Sequence, residues 1–122
     1  MKAKIILTAL VATILAACNT DKVRPFIPGT YVNSAKSEFS QASDTLIITH
    51  LSGDAYLITR QTTYQVIRDH KLLPKHHKTQ KLTGIYDRQK QALMETINGR
   101  EFLFDPNKHL MQVNSARYQK IN

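Results

Sequence analysis

The sequence predicts a mostly β protein: a small antiparallel up-and-down meander of seven or eight strands, curled into a barrel or a barrel-like sheet. Short runs of β-branched and aromatic residues recur with turn residues between them, and no segment keeps apolar residues at helical spacing. Closing such a sheet removes its exposed edges, which favours a barrel. The dispersed glycines and the nine aromatic residues exclude a low-complexity chain.

The first half of the meander is expected to contain four strands, at 29–33, 45–51, 55–68 and 81–87. Residues 37–43 are expected to form one helical turn or an irregular connection, and Ser52-Gly53-Asp54 a tight hairpin. The strand 55–68 exceeds the usual length of about 3–10 residues, which predicts a bend or break near residues 60–63. Arg60 and Thr62 share a face with apolar neighbours, a pattern that indicates a barrel mouth or a bulge.

The second half of the meander is expected to contain a hairpin followed by two further strands. The hairpin strands, at 91–97 and 100–104, flank Asn98-Gly99, a dipeptide that adopts the positive φ angles of a type I′ turn. Asp105-Pro106-Asn107 is expected to form the next turn, because the fixed φ angle of proline suits the second position of a β-turn. A turn near Asn114-Ser115 separates the last two strands, at 109–113 and 116–121.

Residues 1–17 are expected to be a removable signal peptide. Lys2 and Lys4 begin it, and the predominantly apolar stretch 5–17 is shorter than the roughly 20 residues that span a bilayer. Its removal leaves 105 residues with a net charge of +6, enough for one small domain. Multidomain enzymes, coiled coils and multispanning membrane proteins are therefore excluded.

The segment Leu15-Ala16-Ala17-Cys18 resembles the lipobox of bacterial lipoproteins. That resemblance implies cleavage before Cys18, a diacylglycerol thioether on its sulfur and a further fatty acid, such as palmitate, on the freed amine. Cys18 is the only cysteine, so an exported chain cannot use it in an internal disulfide. Two or more acyl chains hold a small protein stably on a membrane.

The mature chain is expected to consist of an acylated tether, residues 18–28, and a single β domain, residues 29–122. Two prolines and little hydrophobic periodicity indicate the tether. Cys18 is followed by Asn19 and Thr20, and not by the aspartate that resembles an inner-membrane retention signal. The lipid anchor is therefore expected in the outer membrane of the cell envelope, on either its periplasmic or its surface face.

The β domain is similar to small uncharacterised β-meander lipoproteins of Gram-negative bacteria, a group without an established activity. The similar segments are 28–32, 44–46, 84–87 and 118–120. Gly29-Thr30-Tyr31 at the start of the meander also resembles the opening of lipocalin-type barrels, although the chain lacks the usual tryptophan of that family. The second resemblance implies a carrier of a small apolar ligand.

The basic segment 68–81 is the strongest candidate for a binding surface. It combines five basic residues with a single acidic one, Asp69, for a local charge of +4. It would contact an anionic partner, or else serve as a solvated connection whose charges oppose aggregation. Nucleic acid is not expected, because no aromatic residues are interleaved to stack on bases. The basic residues are Arg68, Lys71, Lys75, Lys78 and Lys81.

No metal site or cofactor is expected from the histidines. His70, His76 and His77 lie close together in sequence, but no cysteine or glutamate stands at ligand spacing. Adjacent histidines such as His76 and His77 also point to opposite faces of an extended chain.

No catalytic residue is expected, because the chain contains no nucleophile elbow and no glycine-rich phosphate loop. Glu95 and Glu101 flank the Asn98-Gly99 hairpin, where they are expected on the surface, paired with Arg100 or nearby lysines.

The aromatic residues are expected to form the core, with a tyrosine-lined ligand pocket as the alternative. This set comprises Tyr31, Phe39, Tyr56, Tyr64, Tyr86, Phe102, Phe104 and Tyr118.

Together these observations predict a lipid-anchored envelope lipoprotein that acts as a non-enzymatic binding or accessory module for another envelope component, with an envelope protein as its partner. The alternatives are a lipocalin-like carrier of a small apolar ligand and an inhibitor or immunity lipoprotein.

Overall fold

A computed structural model describes residues 21–37 and 39–122. The predicted signal peptide and Cys18 lie outside the described residues. The described chain forms one short 3₁₀ helix and nine β-strands. They are the helix Arg24–Phe26 and the strands β1 Gly29–Lys36, β2 Ser40–Ser52, β3 Ala55–Arg68, β4 Lys71–Leu72, β5 His76–Asp87, β6 Ala92–Glu95, β7 Glu101–Asp105, β8 Leu110–Val113 and β9 Ala116–Lys120.

Eight of these strands close into an antiparallel β-barrel, which confirms the predicted up-and-down meander. Each strand of the barrel pairs with its neighbour in the chain, and β9 closes the ring on β1. The ninth strand, β4, is an extra two-residue strand that pairs with the end of β3. Over residues 21–37 and 39–122, no helix has the length and apolar sequence that crossing a membrane requires.

The strands of the barrel differ greatly in length. β2, β3 and β5 have 13, 14 and 12 residues, whereas β6 to β9 have only four or five each. β9 pairs with β1 only at Tyr31 and Val32, and β6 pairs with β5 only from Gly84 onward. The long strands therefore continue beyond the barrel as a protruding sheet. We call this sheet the extension and define it as residues 33–37, 39–44 and 60–82.

One local prediction for the long strands is wrong, and the break predicted in another is absent. β2 already begins at Ser40, so residues 40–43 are not an irregular connection. They form a strand because β1 and β3 both supply backbone partners for them. β3 runs without a break through residues 60–63, since its pairing with β2 and β5 keeps one register there.

The barrel interior is filled by its own side chains. Gly84 faces it so closely that a Cβ at this position would lie 2.9 Å from Leu93 Cγ. The core prediction is confirmed for five aromatic residues and for Phe104, which packs against them, but Phe39 and Tyr64 are 74% and 43% exposed because they belong to the extension. The buried aromatic residues are Tyr31, Tyr56, Tyr86, Phe102 and Tyr118.

Residues 21–28 cover one end of the barrel, which we call the closed end. Ile27 is fully buried, and the Tyr31 hydroxyl donates to its carbonyl at 2.9 Å. The Asp21 carboxylate accepts hydrogen bonds from the Val23 N–H and the Tyr86 hydroxyl. The prediction of a tether is therefore wrong for residues 21–28, because their apolar side chains complete the core. The prediction for residues 18–20 lies outside the described residues.

Candidate functional site

The extension leaves the barrel at a network centred on the Asp44 carboxylate. The Arg60 guanidinium donates to it from Nε at 2.9 and 3.0 Å, and its Nη2 lies 2.8 Å from Oδ2. Thr62 Oγ1 donates at 3.0 Å and Tyr118 Oη at 2.6 Å. Asp44 and Thr62 are cross-strand neighbours, and Tyr118 reaches them from β9. Arg60 and Thr62 thus mark the barrel mouth, the first of the two alternatives that the sequence indicated.

The network keeps Asp44 ionised. Burial of the carboxyl would by itself raise its pKa, but the hydrogen bonds from Arg60 and Tyr118 and the positive charge of Arg60 hold the pKa of Asp44 below its ordinary value. Burial and the hydrogen bond to Asp44 raise the pKa of the Tyr118 hydroxyl. The carboxylate, the phenol and the guanidinium therefore keep their usual protonation states at neutral pH.

Glu95 forms a second carboxylate network at the same end of the barrel. Its Oε1 accepts the Ile97 N–H at 2.8 Å, and its Oε2 accepts the Asn98 N–H at 3.0 Å and lies 3.5 Å from Arg100 Nε. Burial opposes its ionisation, but these backbone donors and Arg100 hold the pKa of Glu95 below its ordinary value. The pairing with Arg100 is confirmed, whereas the expected surface position is wrong, since Glu95 is only 1% exposed.

The hairpin beside Glu95 is not the predicted type I′ turn. That turn needs positive φ at both central residues, but only Gly99 has it, with φ 69°. The Glu95 N–H donates to the Arg100 carbonyl, so the loop consists of residues 96–99. Its backbone wraps around the Glu95 carboxylate, a contact that a dipeptide pattern does not encode.

The five basic residues predicted as a binding surface all lie in the extension and are all exposed. The ion pairs in the described chain involve Arg24, Arg60, Arg88 and Arg100, and none of these five. The segment 68–81 is more regular than a connection, because β4 and the first half of β5 lie within it. The five residues are distributed as Arg68 at the end of β3, Lys71 in β4, Lys75 before β5, and Lys78 and Lys81 in β5.

The histidines of the extension contact cross-strand neighbours on opposite faces of the sheet, as predicted for His76 and His77. The His76 ring stacks on Tyr64 at 4.8 Å, and His77 Nδ1 lies 3.2 Å from Thr63 Oγ1. Across the part of the chain that the structure describes, no group of three or more histidine, cysteine, aspartate or glutamate residues lies close enough to hold a metal ion.

A polar groove of about 420 Å³ lies on the outer face of the extension, and the sequence reasoning did not identify it. The Gln41 side chain donates to Gln65 there, and Gln65 donates to the Leu73 carbonyl. Polar side chains at every second position of β2 and β3 are the signal that would have indicated it. The groove is lined mainly by Ser34, Gln41, Ser43, Thr63, Gln65 and Lys75.

Comparison of the chain with protein-family models, curated proteins and solved structures finds no match. Its class is accordingly described by its architecture: a closed eight-strand antiparallel β-barrel with one extra strand and a basic extension.

Proposed function

We propose that the protein is a lipid-anchored, non-enzymatic binding module of the bacterial cell envelope, and that its extension binds an anionic envelope partner. One observation carries this proposal: five exposed basic residues outside any described ion pair lie on a sheet that protrudes from the barrel. Clustered cations of this kind raise the local electrostatic potential and attract anionic surfaces.

The position of the first described residues supports a lipid anchor at the closed end of the barrel, opposite the extension. Asp21 lies at the closed end, where it bonds to Tyr86, and Arg24 bonds to Gly53 and Asp54 in the turn between β2 and β3. Cys18 precedes Asp21 by three residues, a reach of at most about 11 Å. A lipid on Cys18 would therefore hold the closed end near the membrane and leave the extension for a partner.

The interior of the molecule supports binding rather than catalysis or transport. The carboxylates of Asp44 and Glu95 are both held ionised, Asp44 by Arg60 and Tyr118 and Glu95 by backbone N–H groups and Arg100, whereas a general acid needs a raised pKa. A carrier of an apolar ligand needs interior space, but here tyrosine, phenylalanine and aliphatic side chains fill the barrel. These observations favour the binding module over the lipocalin-like alternative.

The test of the binding surface is a charge reversal with a matched control. The variant Lys71→Glu, Lys75→Glu, Lys78→Glu alters the extension, and the control Lys22→Glu, Lys90→Glu, Lys108→Glu makes the same charge change at exposed sites of the closed end. Cross-linking in intact cells, followed by mass spectrometry, should recover the same partner with the wild type and the control. We expect the extension variant to lose at least about nine-tenths of that cross-linked product. Equal recovery with both variants would contradict the proposal.

The test of the anchor is detergent phase partitioning. The wild type should enter the detergent phase, whereas Cys18→Ala should stay in the aqueous phase or retain its signal peptide. A mass spectrum that shows a free thiol at Cys18 would refute the anchor while leaving the binding surface untouched.

A further inference from the structure

The outer edge of β5 carries backbone groups without a strand partner in the described chain. β6 pairs with β5 only from Gly84 to Asp87, and the last contact beyond that region is the Thr96 N–H, which donates to the Thr83 carbonyl at 3.0 Å. Within residues 21–37 and 39–122, no strand is paired with His76–Leu82 on the side away from β3. This stretch is a free sheet edge.

The pairing pattern defines which backbone groups point toward that edge. Along an antiparallel strand, successive residues direct their N–H and C=O alternately to one neighbour and to the other. Because the Thr83 carbonyl points toward β6, the N–H and C=O of His77, Thr79 and Lys81 point toward the same side. Three donors and three acceptors thus alternate at the spacing of an extended chain.

The basic residues around this edge favour pairing with one kind of polypeptide segment over others. Lys75, Lys78 and Lys81 are exposed along it, and no acidic residue occurs between Asp69 and Asp87. Lysines on a free edge oppose pairing with a second copy of the same chain, because equal charges would face each other. They attract an acidic chain instead.

We propose that the free edge of β5, centred on His77, Thr79 and Lys81, binds an extended acidic polypeptide segment of the partner as an additional strand. This inference rests on the proposed binding function and specifies its partner class. The backbone hydrogen bonds supply affinity without regard to sequence. Specificity comes from carboxylates on the two faces of the added strand, since Lys78 and Lys81 lie on opposite faces of the sheet.

The first experiment uses synthetic peptides and the full protein as cells produce it, extracted in detergent. The probe is a peptide of about eight residues in which pairs of glutamates alternate with pairs of valines, so that its carboxylates lie on both faces of the added strand. One control carries N-methyl groups on alternate backbone nitrogens, which removes hydrogen-bond donors and keeps the charge; another replaces glutamate with lysine. We expect the acidic peptide to bind, the N-methylated peptide to bind at least about tenfold more weakly, and the basic peptide not to bind.

The second experiment removes one backbone donor from the protein. Thr79→Pro deletes an N–H that points to the free edge and leaves the ladder with β3 and every charge in place. We expect it to weaken acidic-peptide binding by roughly three- to tenfold, the loss of one hydrogen bond, whereas Thr79→Ala should bind like the wild type. Hydrogen exchange at His77, Thr79 and Lys81 should slow when the peptide binds. If Thr79→Pro does not fold, the N-methylated peptide and the exchange data decide.

The outcomes separate this inference from the proposed function. Equal binding of the acidic and N-methylated peptides would overturn strand addition while supporting an anionic partner held by charge alone. Failure of the acidic peptide to bind would also overturn it, and binding to phosphatidylglycerol vesicles in that case would identify a membrane surface as the anionic partner. The proposed function itself depends on the charge-reversal experiment.

Discussion

At the scale of single residues, the Asp44 carboxylate connects the extension to the barrel. It accepts hydrogen bonds from Arg60 and Thr62 on the long strand β3 and from Tyr118 on the short strand β9. Its side chain is only 13% exposed, so few water molecules can replace these donors. The network therefore stabilises both the ionised carboxylate and the junction between the two parts of the molecule.

We expect Asp44→Asn to lower the free energy of unfolding by about 1–3 kcal/mol at pH 7, because it leaves the Arg60 charge without its counter-charge. The loss stays below that of a fully buried pair, since Arg60 is 32% exposed. Urea unfolding followed by circular dichroism measures it. Asp54→Asn, which breaks the more exposed pairs with Arg24 and Arg88, is the control and should cost less than about 1 kcal/mol. Equal losses would contradict the role of the network.

The stability difference between the wild type and Asp44→Asn should depend on pH. Since the folded-state pKa of Asp44 lies below its ordinary value of 3.8, the unfolded chain takes up the proton first as the pH falls. The contribution of Asp44 to stability is thus complete above the ordinary pKa and is lost as the pH falls through the folded-state pKa. We expect the wild-type advantage over Asp44→Asn to shrink between about pH 5 and pH 2. A constant advantage over that range would show that the charge of Asp44 is not its source.

At the scale of elements, the segment 21–28 acts as part of the barrel. The Tyr31 hydroxyl donates to the Phe26 and Ile27 carbonyls, and the Lys120 ammonium lies 4.2 Å from the centre of the Phe26 ring. A free tether would leave these groups to water. Here the segment covers the apolar side chains at the closed end, so its removal would expose part of the core.

We expect Ile27→Ala to lower the free energy of unfolding by about 2–4 kcal/mol, because it leaves a cavity under the 3₁₀ helix. Thermal and urea unfolding measure the change. Ile97→Ala is the matched control: Ile97 is 72% exposed in the loop beside Glu95, so its truncation should change stability by less than about 0.5 kcal/mol. A neutral Ile27→Ala would restore the interpretation of residues 21–28 as a tether.

At the scale of the whole molecule, the two ends of the barrel differ in chemistry. The 3₁₀ helix and the turns at 53–54, 88–91 and 106–109 form the closed end, whereas the extension and its basic residues leave the other end. β3 alone has 14 residues, a length of roughly 45 Å when extended. An anchor at Cys18 would thus be separated from the basic residues by most of the length of the molecule.

This separation predicts an orientation on the membrane. A fluorophore on Gln89→Cys, in a turn of the closed end, should be quenched by headgroup quenchers in vesicles at least about twice as strongly as one on Leu72→Cys, in the extension, because the proposed lipid on Cys18 would hold the closed end within a reach of about 11 Å. Both positions are exposed and uncharged. If Cys18 carries the proposed thioether, the parent protein should remain unlabelled, because a thioether does not react with a thiol reagent. Equal quenching would indicate a protein that lies flat on the membrane.

The fold class followed from local patterns in the sequence. Alternating β-branched and aromatic residues, with Gly53, Asn98-Gly99 and Pro106 between them, indicated the hairpins, because strand periodicity and turn conformations depend on neighbouring residues. The same reasoning indicated a barrel mouth or a bulge at Arg60 and Thr62, of which the structure shows the first, and it predicted His76 and His77 on opposite faces. It also identified the basic residues that the structure places on the extension.

The sequence by itself thus determined a small antiparallel up-and-down meander, curled into a barrel or a barrel-like sheet, and its basic segment, since each depends on the order of residues along the chain. Only the tertiary structure decided that residues 21–28 pack on the core, that Glu95 is buried, and that one edge of β5 has no strand partner among the described residues. The physical reason is that burial and strand pairing depend on the neighbours that other strands supply. The short strand β6 pairs with β5 only from Gly84 to Asp87, so the rest of that side of β5 has no strand partner among the described residues, and this difference in length becomes visible only when the barrel closes.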